Sequence, residues 1–310
     1  MEKTTMTNFT GKVFNDPTRL HEAVMLIDCT DGNPNGDPSM GNQPRIDLET
    51  GHGLMTDACL KRKIRDYIYL RGQDINPEFY NIFIQEGSVL NDAIASAYER
   101  LKVKPKGKAG SPEQQLEVQR AMKEMFFDIR MFGAVLSTGL KAGQVWGPVQ
   151  VSHARSIDPV DLVTHQLTRC AATKKEDKKE DANGDGDEKE TDNKTFGWKH
   201  SIAYGLFKFA ITYNPNRGSE FISEQDLALF WESLLNLWSL NRSSARGMMA
   251  PRGLWIISHA NKYGSGVIKS PFDRLTAITK KEHPRRFSDY DVSFDDTLEE
   301  DVDAVISRLI

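Results

Sequence analysis

The feature that most constrains this chain is a mostly apolar run, Ala23 to Cys29, which ends in a long segment rich in glycine, proline and asparagine. The run does not alternate between apolar and polar residues, and this is typical of a strand buried on both faces of a sheet. The segment 31–53 follows neither a helical nor a strand period, so we expect a loop there. A loop of this length directly after a core strand requires a functional explanation.

Hydrophobic periodicity divides the rest of the chain into helices and strands. Helices are predicted at 56–72, 88–103, 113–131 and 223–240, and strands at 79–87, 147–160, 200–215 and 253–260. Thr56 and Asp57 are candidate caps of the first helix, and Gly72 is its candidate terminator. Ser223 with Asp226 resembles a capping box at the start of the last helix. Strands and helices do not alternate regularly as they do in βαβ units, so we predict a single α+β domain over residues 1–310.

The charge of the chain is unevenly distributed, and its sum of −4 conceals a basic body. Residues 173–194 hold nine acidic and six basic side chains, and residues 289–303 hold eight acidic side chains and none that is basic. The remainder therefore carries a net charge of +7. This distribution is compatible with a nucleic-acid partner.

The composition favours a cytoplasmic protein without disulfides or zinc clusters. Cys29, Cys59 and Cys170 are far apart and form no CxxC pair. The chain starts without the apolar region of a signal peptide, and no apolar run reaches the roughly 18 residues of a membrane span. We therefore expect no export and no membrane partner.

Motifs for catalysis or metal binding are missing from the sequence. It contains no GxSxG, P-loop, GxGxxG or HExxH pattern. The segment 31–42 starts like a calcium loop but ends in Asn42 where a bidentate glutamate is required, and 181–192 lacks amphipathic flanking helices. We therefore predict no catalytic residue, no metal and no cofactor.

The first predicted helix carries a cluster of cations. Lys61 and Arg65 are one turn apart, and Arg62 lies beside them. A helix N-terminus beside a glycine-rich loop can bind phosphate, so this cluster is a candidate nucleic-acid site together with Arg45 of the loop. The alternative is a solvated face that nearby aspartates neutralise.

Two further segments have a possible function in RNA binding and a simpler alternative. Arg242 and Arg246 form a second basic site, or they compensate the dipole of the preceding helix. The aromatic residues of 204–213 alternate as in an RNP-type strand, but the leading basic residue is missing. For that strand we expect core packing rather than base stacking.

Five segments of the chain carry a resemblance to a known family. They are NPNGDPSMGNQPRIDLETGHGLMTDACLKRKIRDY at 33–67, FFDIRMFGAV at 126–135, GPVQVSHARSIDPV at 147–160, FGWKHSIAYGLFKF at 196–209 and RSSARG at 242–247. In this order they resemble the backbone subunit of the type I-C CRISPR Cascade complex. The resemblance extends from Leu20 to Leu275, and its first motif is the longest and most specific.

The resemblance implies a fold and an assembly. The fold is an RRM-like (ferredoxin-like) palm with helical insertions and a protruding β-hairpin thumb at 161–204, whose acidic tip at 173–194 is expected to be mobile. Several copies would assemble head to tail along one CRISPR RNA. The loop 31–53 would approach the RNA and an adjacent copy, and an acidic C-terminal tail at 289–310 would be solvated or contact the next copy.

The resemblance also implies a set of RNA-binding residues in the loop, the first helix, the groove beside it, the thumb strands and the second basic site. They are Arg45, Lys61, Arg62, Arg65, Arg130, Phe132, Gly133, Gln150, Ser152, Arg155, Lys199, His200, Arg242 and Arg246. Lys61, Arg62 and Arg65 are expected to be the principal phosphate-binding residues. Arg130 has an alternative interpretation as the structural partner of a carboxylate.

The function implied by the resemblance is that of a non-catalytic crRNA-binding subunit that presents its guide for pairing with target DNA in antiviral defence. Its expected partners are crRNA, target DNA through the guide, further copies of the chain, and the large, the small, and the handle-binding and processing subunits of Cascade. The main alternative is a metal-dependent endoribonuclease of the related type III kind, with Asp31, Asp37 or Asp47 as its loop aspartate.

Overall fold

The computed structural model describes residues 9, 11–103, 110–138, 140–168, 196–266, 268–299 and 302–310. The predicted acidic tip at 173–194 lies outside these residues. The described part of the chain is α+β, as predicted, and is organised around one large antiparallel sheet. No helix within it is long and apolar enough to cross a membrane.

The strands and helices have the following bounds. In chain order the strands are β1 (His21–Gly32), β2 (Gly36–Asp37), β3 (Gln43–Pro44), β4 (His52–Met55), β5 (Gly133–Leu136), β6 (Gly143–Trp146), β7 (Val149–Val151), β8 (Ala154–Pro159), β9 (Leu162–Thr168), β10 (Phe196–Tyr213), β11 (Met248–His259), β12 (Leu275–Thr279), β13 (Tyr290–Phe294) and β14 (Ala304–Arg308). The helices are α1 (Asp57–Ile75), α2 (Leu90–Arg100), α3 (Pro112–Met125), α4 (Phe127–Phe132), α5 (Glu224–Asn236) and α6 (Pro271–Arg274). The main path of the large sheet runs β14, β11, β1, β10, β8, β4, and β7 and β9 also pair with β10.

The central strand β1 is buried on both faces, as its sequence predicts. On one face Met25 and Ile27 join the core that α1 and α5 cover. On the other face Val24 and Leu26 pack with Trp255 under the hairpin of β12 and β13. A strand covered on both sides has no need to alternate apolar with polar residues.

The aromatic strand β10 packs in the core. Phe207, Phe209, Ile211 and Tyr213 lie on one face, and each is at most 1% exposed. They belong to the same cluster as the apolar residues of α1 and α5. The prediction of core packing is therefore confirmed, because the helices cover the surface on which bases would have to stack.

Helix α1 begins where predicted but ends later. Its cap is Thr56, whose Oγ1 accepts a hydrogen bond from the backbone N–H of Cys59 at 3.2 Å. Gly72 does not end the helix, which continues to Ile75. Packing explains this glycine, since a Cβ atom at position 72 would lie 2.3 Å from Cβ of Tyr80.

Two predicted elements differ in the structure. The helix predicted at 113–131 is divided at Phe126, whose backbone is extended with φ −123° and ψ 117°. The segment 79–87 is not a regular strand, and Asn81 forms only an isolated bridge with Phe126. Backbone N–H groups of this segment donate instead to the carboxylate of Asp128.

The strand predicted at 253–260 is not the last one, and residues 289–310 do not form a simple tail. This segment contains β13 and β14, and β14 pairs with β11 at the edge of the large sheet. Phe294 of β13 stacks on Trp255 with ring centroids 5.5 Å apart. The few apolar residues of this acidic segment therefore anchor it to the sheet.

The β9–β10 hairpin extends past the end of β1. The pairing of β1 with β10 ends at Gly32 and Ile202, and β9 pairs with β10 from there to Thr168 and Phe196. Most described side chains of β9 are exposed. The hairpin thus leaves the sheet at the end where the long loop after β1 begins.

Candidate nucleic-acid interface

Lys61 and Arg65 lie side by side on α1 above the ring of Phe132. The Lys61 Nζ atom is 5.8 Å and the Arg65 guanidinium carbon 5.3 Å from the ring centroid. Phe132 is itself buried and packs edge-on against Phe230 of the core. A rigid aromatic face therefore supports two neighbouring positive charges.

Every cation of the α1 cluster also has a carboxylate partner. The pairs are Lys61 with Asp57 at 3.1 Å, Arg62 with Asp66 at 2.8 Å, and Arg65 with Asp128 at 2.8 Å. The first two join residues one helical turn apart near the surface, where such pairs contribute only about 0.3–0.5 kcal/mol. A phosphate can replace these aspartates at little cost.

Arg65 differs from the other two cations because its partner is buried. The Asp128 side chain is 1% exposed, and it also accepts the backbone N–H groups of Phe83 and Ile84. Removing one member of a buried pair typically costs about 3–5 kcal/mol. Arg65 is therefore tied to a buried carboxylate, whereas the partners of Lys61 and Arg62 lie nearer the surface.

Arg130 does not line the groove, contrary to its assignment as an RNA-binding residue. Its side chain is 0% exposed and donates from Nη2 to Asp226 Oδ1 at 2.8 Å. Its guanidinium carbon lies 3.8 Å from the ring centroid of Phe79. The structure agrees with the alternative interpretation, in which Arg130 is the partner of a carboxylate.

Gly133 is required by the backbone. Its φ is +77°, a region that favours glycine, and a Cβ atom there would lie 2.5 Å from the carbonyl oxygen of Val145. Gly133 pairs with Trp146 across the β5–β6 hairpin. The residue thus fixes the hairpin next to Phe132.

The long loop after β1 is ordered by two arginine–aspartate pairs. Arg45 Nη1 donates to Asp37 at 2.9 Å, and Arg155 Nη1 donates to Asp47 at 2.5 Å. Hydrogen bonds from Ser39 and, after them, the positive charge of Arg45 lower the pKa of Asp37, and the hydrogen bond from Arg155 lowers the pKa of Asp47. The buried Nε of Arg45 has no hydrogen-bond partner among the described residues.

Protein groups already occupy part of the N-terminus of α1. Asn35 Oδ1 accepts from the Thr56 backbone N–H at 2.9 Å, and His153 Nδ1 accepts from that of Asp57 at 3.0 Å. The helix N-terminus therefore has fewer N–H groups for phosphate than its sequence suggested. Periodicity could not reveal His153, which is 96 residues from its partner.

The second basic segment packs against the loop after β1. The backbone N–H of Asn33 donates to Ala245 at 2.7 Å, and Arg246 Nη1 donates to the carbonyl of Pro34 at 2.8 Å. Arg242 is exposed and forms no hydrogen bond or ion pair with any residue in the described ranges. The second basic site is thus adjacent to the loop that carries Arg45.

Lys63 of α1 contacts the residue that precedes the 242–246 loop, a contact that the sequence analysis missed. Its Nζ donates to Asn241 Oδ1 at 2.9 Å. Lys199 and His200 lie on the β9–β10 hairpin at the same end of the sheet, and His200 Nδ1 is 2.9 Å from Thr164 Oγ1. We call the loop after β1, α1 and the 242–246 loop together the cationic face.

Gln150 and Ser152 lie far from Lys199 and His200 of the β9–β10 hairpin, although all four were predicted to bind RNA on the thumb strands. Gln150 pairs with Thr212, and Ser152 Oγ accepts from the backbone N–H of Ala210 at 2.9 Å. At about 3.3 Å per residue, Thr212 is roughly 40 Å along β10 from Lys199. The cause is a break in the predicted strand, whose halves β7 and β8 pair with different parts of β10.

Of the three aspartates proposed for a nuclease, only Asp31 has an uncommitted carboxylate. Asp37 and Asp47 are bound as described above, whereas Asp31 is exposed, has φ +50° and forms no side-chain hydrogen bond with the described residues. Within the described ranges, no three His, Cys, Asp or Glu side chains are grouped to hold a metal ion.

An antiparallel α+β fold with basic segments gathered at one end of its sheet defines a candidate polyanion-binding protein. The family model for CRISPR-associated protein Cas7 matches residues 19–295. This match covers most of the chain, and the chain belongs to that family.

The individual proteins and structures that match this chain share a short segment or a low sequence identity with it. A CRISPR-associated protein Cas7 from Haloferax volcanii is 46% identical over 54 residues, a match that spans 17% of this chain and only 16% of that relative. A chain of a "CRISPR RNA-guided surveillance complex, pre-nicking" has 18% identity and a TM-score of 0.46, over 77% of this chain and 75% of that one. A chain of the type III-B Cmr-beta complex bound to cognate target RNA has 14% identity and a TM-score of 0.39, over 79% and 62%.

Proposed function

We propose that this chain is a non-catalytic subunit that holds a CRISPR guide RNA by its phosphate backbone in a type I-C Cascade complex and presents the bases to target DNA. Membership of the CRISPR-associated protein Cas7 family and the long motif at 33–67 support this proposal. The observation that carries it is the cationic face, where the basic residues of α1 and of the 242–246 loop come together with the loop that carries Arg45, beside the β9–β10 hairpin.

The cationic face binds RNA by exchange of its partly exposed ion pairs. Phosphates replace Asp57 as the partner of Lys61, and Asp66 and Glu86 as the partners of Arg62, because pairs near the surface are weak. Contacts to phosphate carry no sequence information, as a subunit that must accept any guide requires. Each neutralised phosphate releases counterions, so binding weakens as salt increases.

The proposed palm is RRM-like. Strands β11, β1, β10 and β7 are neighbours in this order, α1 follows β1 and α5 follows β10, which matches a ferredoxin-like arrangement. In this proposal the β9–β10 hairpin is the thumb. The partners are further copies of the chain and the large, small, and handle-binding and processing subunits, in the cytoplasm.

Expression of the chain together with a CRISPR array tests this function. We expect a large species on a sizing column, with an absorbance ratio that indicates bound nucleic acid, and sequencing of that nucleic acid should return repeat and spacer RNA. A small species free of nucleotide would contradict the proposal.

The exposed Asp31 keeps a second candidate function open to test, that of a metal-dependent endoribonuclease. Incubation of the assembled protein with complementary RNA and Mg²⁺ should leave the RNA intact. Cuts at regular intervals that disappear in Asp31→Asn would favour the endoribonuclease.

A further inference from the structure

A cleft of about 590 Å³ opens beside the β5–β6 hairpin, outside the cationic face. Trp146 lines it and is 57% exposed. The guanidinium carbon of Arg217 lies 5.3 Å from the indole centroid. Gly218 has φ +81°, and a Cβ atom there would lie 2.9 Å from the Trp146 carbonyl oxygen. Glycine thus allows the loop to approach the strand and close one side of the cleft.

Some polar side chains of this cleft have a partner within the protein and others do not. Its carboxylate, on Glu220, is bound by Lys123 at 2.7 Å. Arg217, in contrast, has no carboxylate partner in the described part of the chain, and the exposed amide of Gln144 makes no hydrogen bond there. The cleft therefore offers an aromatic face, a stacked cation and a free amide edge.

We propose that this cleft binds one unpaired nucleotide of a single-stranded nucleic acid. The base stacks on the Trp146–Arg217 pair, the Gln144 amide meets a base edge, and Arg217 N–H groups bind phosphate. The volume is in the range of small-ligand sites. A ligand that is both flat and anionic uses all of these groups, whereas a purely apolar ligand uses only the indole.

The cleft adjoins the residues that support the cationic face. Trp146 pairs with Gly133, and Gly133 follows Phe132, whose ring lies beneath Lys61 and Arg65. A strand that is bound on α1 and continues past Phe132 and the β5–β6 hairpin would reach this stacking site. The inference rests on the proposed function, because the nucleotide in the cleft belongs to the same strand that α1 binds.

Fluorescence anisotropy with a labelled uridine hexamer tests the cleft in the full-length protein. Trp146→Ala should weaken binding by about 5- to 150-fold, the range for loss of one stacked base, and Trp146→Phe should weaken it less. Arg217→Gln should also weaken binding. The matched control is Tyr263→Ala, which removes another exposed aromatic with a cation, Lys262, 5.1 Å from its ring and should change affinity by less than about twofold.

Photo-crosslinking with 5-bromouridine RNA provides a second readout and should give an adduct on Trp146. Unchanged affinity of Trp146→Ala without such an adduct would overturn the inference, as would a wild-type protein that does not bind the hexamer. A change only in oligomer size would assign the cleft to a protein interface and also overturn it. Lys61→Glu with Arg62→Glu tests the proposed function separately, because that variant leaves the cleft intact.

Discussion

Arg62 and Arg130 are both paired with aspartates, yet their burial gives them different roles. The Arg62 side chain is 36% exposed, whereas Arg130 and Asp226 are both 0% exposed. An exposed pair exchanges partners easily, and a buried pair cannot be separated without leaving an unpaired charge in the core. Composition and spacing do not encode this difference, so both arginines were predicted to bind RNA, Arg62 from the cation cluster of α1 and Arg130 from the resemblance.

Substitution of the two arginines should separate these roles. Arg130→Met should lower the free energy of unfolding by about 3–5 kcal/mol, because Asp226 loses its buried partner. Arg62→Met should lower it by less than about 1 kcal/mol. Urea denaturation measures both values, and similar losses in the two variants would contradict the assignment.

His21 should make stability depend on pH. The ring is buried, with Nε2 2.8 Å from the Asp16 carbonyl oxygen and Nδ1 3.0 Å from Ser258 Oγ. Burial lowers its pKa from 6.5 to about 4, so the unfolded state binds more protons between these values and stability falls as pH falls through this interval. His21→Gln should reduce this slope in urea titrations across the interval. An unchanged slope would mean that other groups cause it.

The helices illustrate what can be predicted at the scale of the element. Period and capping residues located α5 with its Ser223–Asp226 box and the start of α1 at Thr56. Gly72 was misinterpreted because a glycine that ends a helix and one that is packed against Tyr80 look alike in sequence. The division at Phe126 was missed for a related reason, since apolar spacing continues through the break.

Gly72→Ala tests the packing explanation. Helix propensity alone would make this substitution stabilising by about 1 kcal/mol. We expect it to be destabilising, because the added methyl group would meet Tyr80 and overpacking costs about 1–3 kcal/mol. Gly197→Ala is the control, since nothing lies within 4 Å of the corresponding Cβ, and a stabilised Gly72→Ala would refute the explanation.

The whole molecule is assembled by contacts that local patterns cannot show. The α+β class, the central strand and the basic body were predictable from the sequence. The cationic face was not, because it depends on contacts such as Arg246 with Pro34, which are 212 residues apart. The resemblance grouped Gln150 with the hairpin residues, and only the register of β7 on β10 separates them.

The C-terminal segment belongs to the sheet, so its removal should affect the whole molecule. A chain ended at Leu298 lacks β14 and exposes the edge of β11 at Trp255. We expect a lower urea midpoint and self-association through the exposed edge. Sedimentation measures the association, and removal of Ile310 alone is the control. A truncated chain as stable and monomeric as the control would support a simple tail.

The most direct test of the account is the RNA content of Lys61→Glu with Arg62→Glu after expression beside a CRISPR array. The control reverses two exposed cations elsewhere, Lys12 and Arg100, and so has the same net charge. The account predicts that the α1 variant is folded, small and free of RNA, whereas the control keeps its RNA. Equal RNA retention in both variants would contradict the central claim that the cationic face holds the guide.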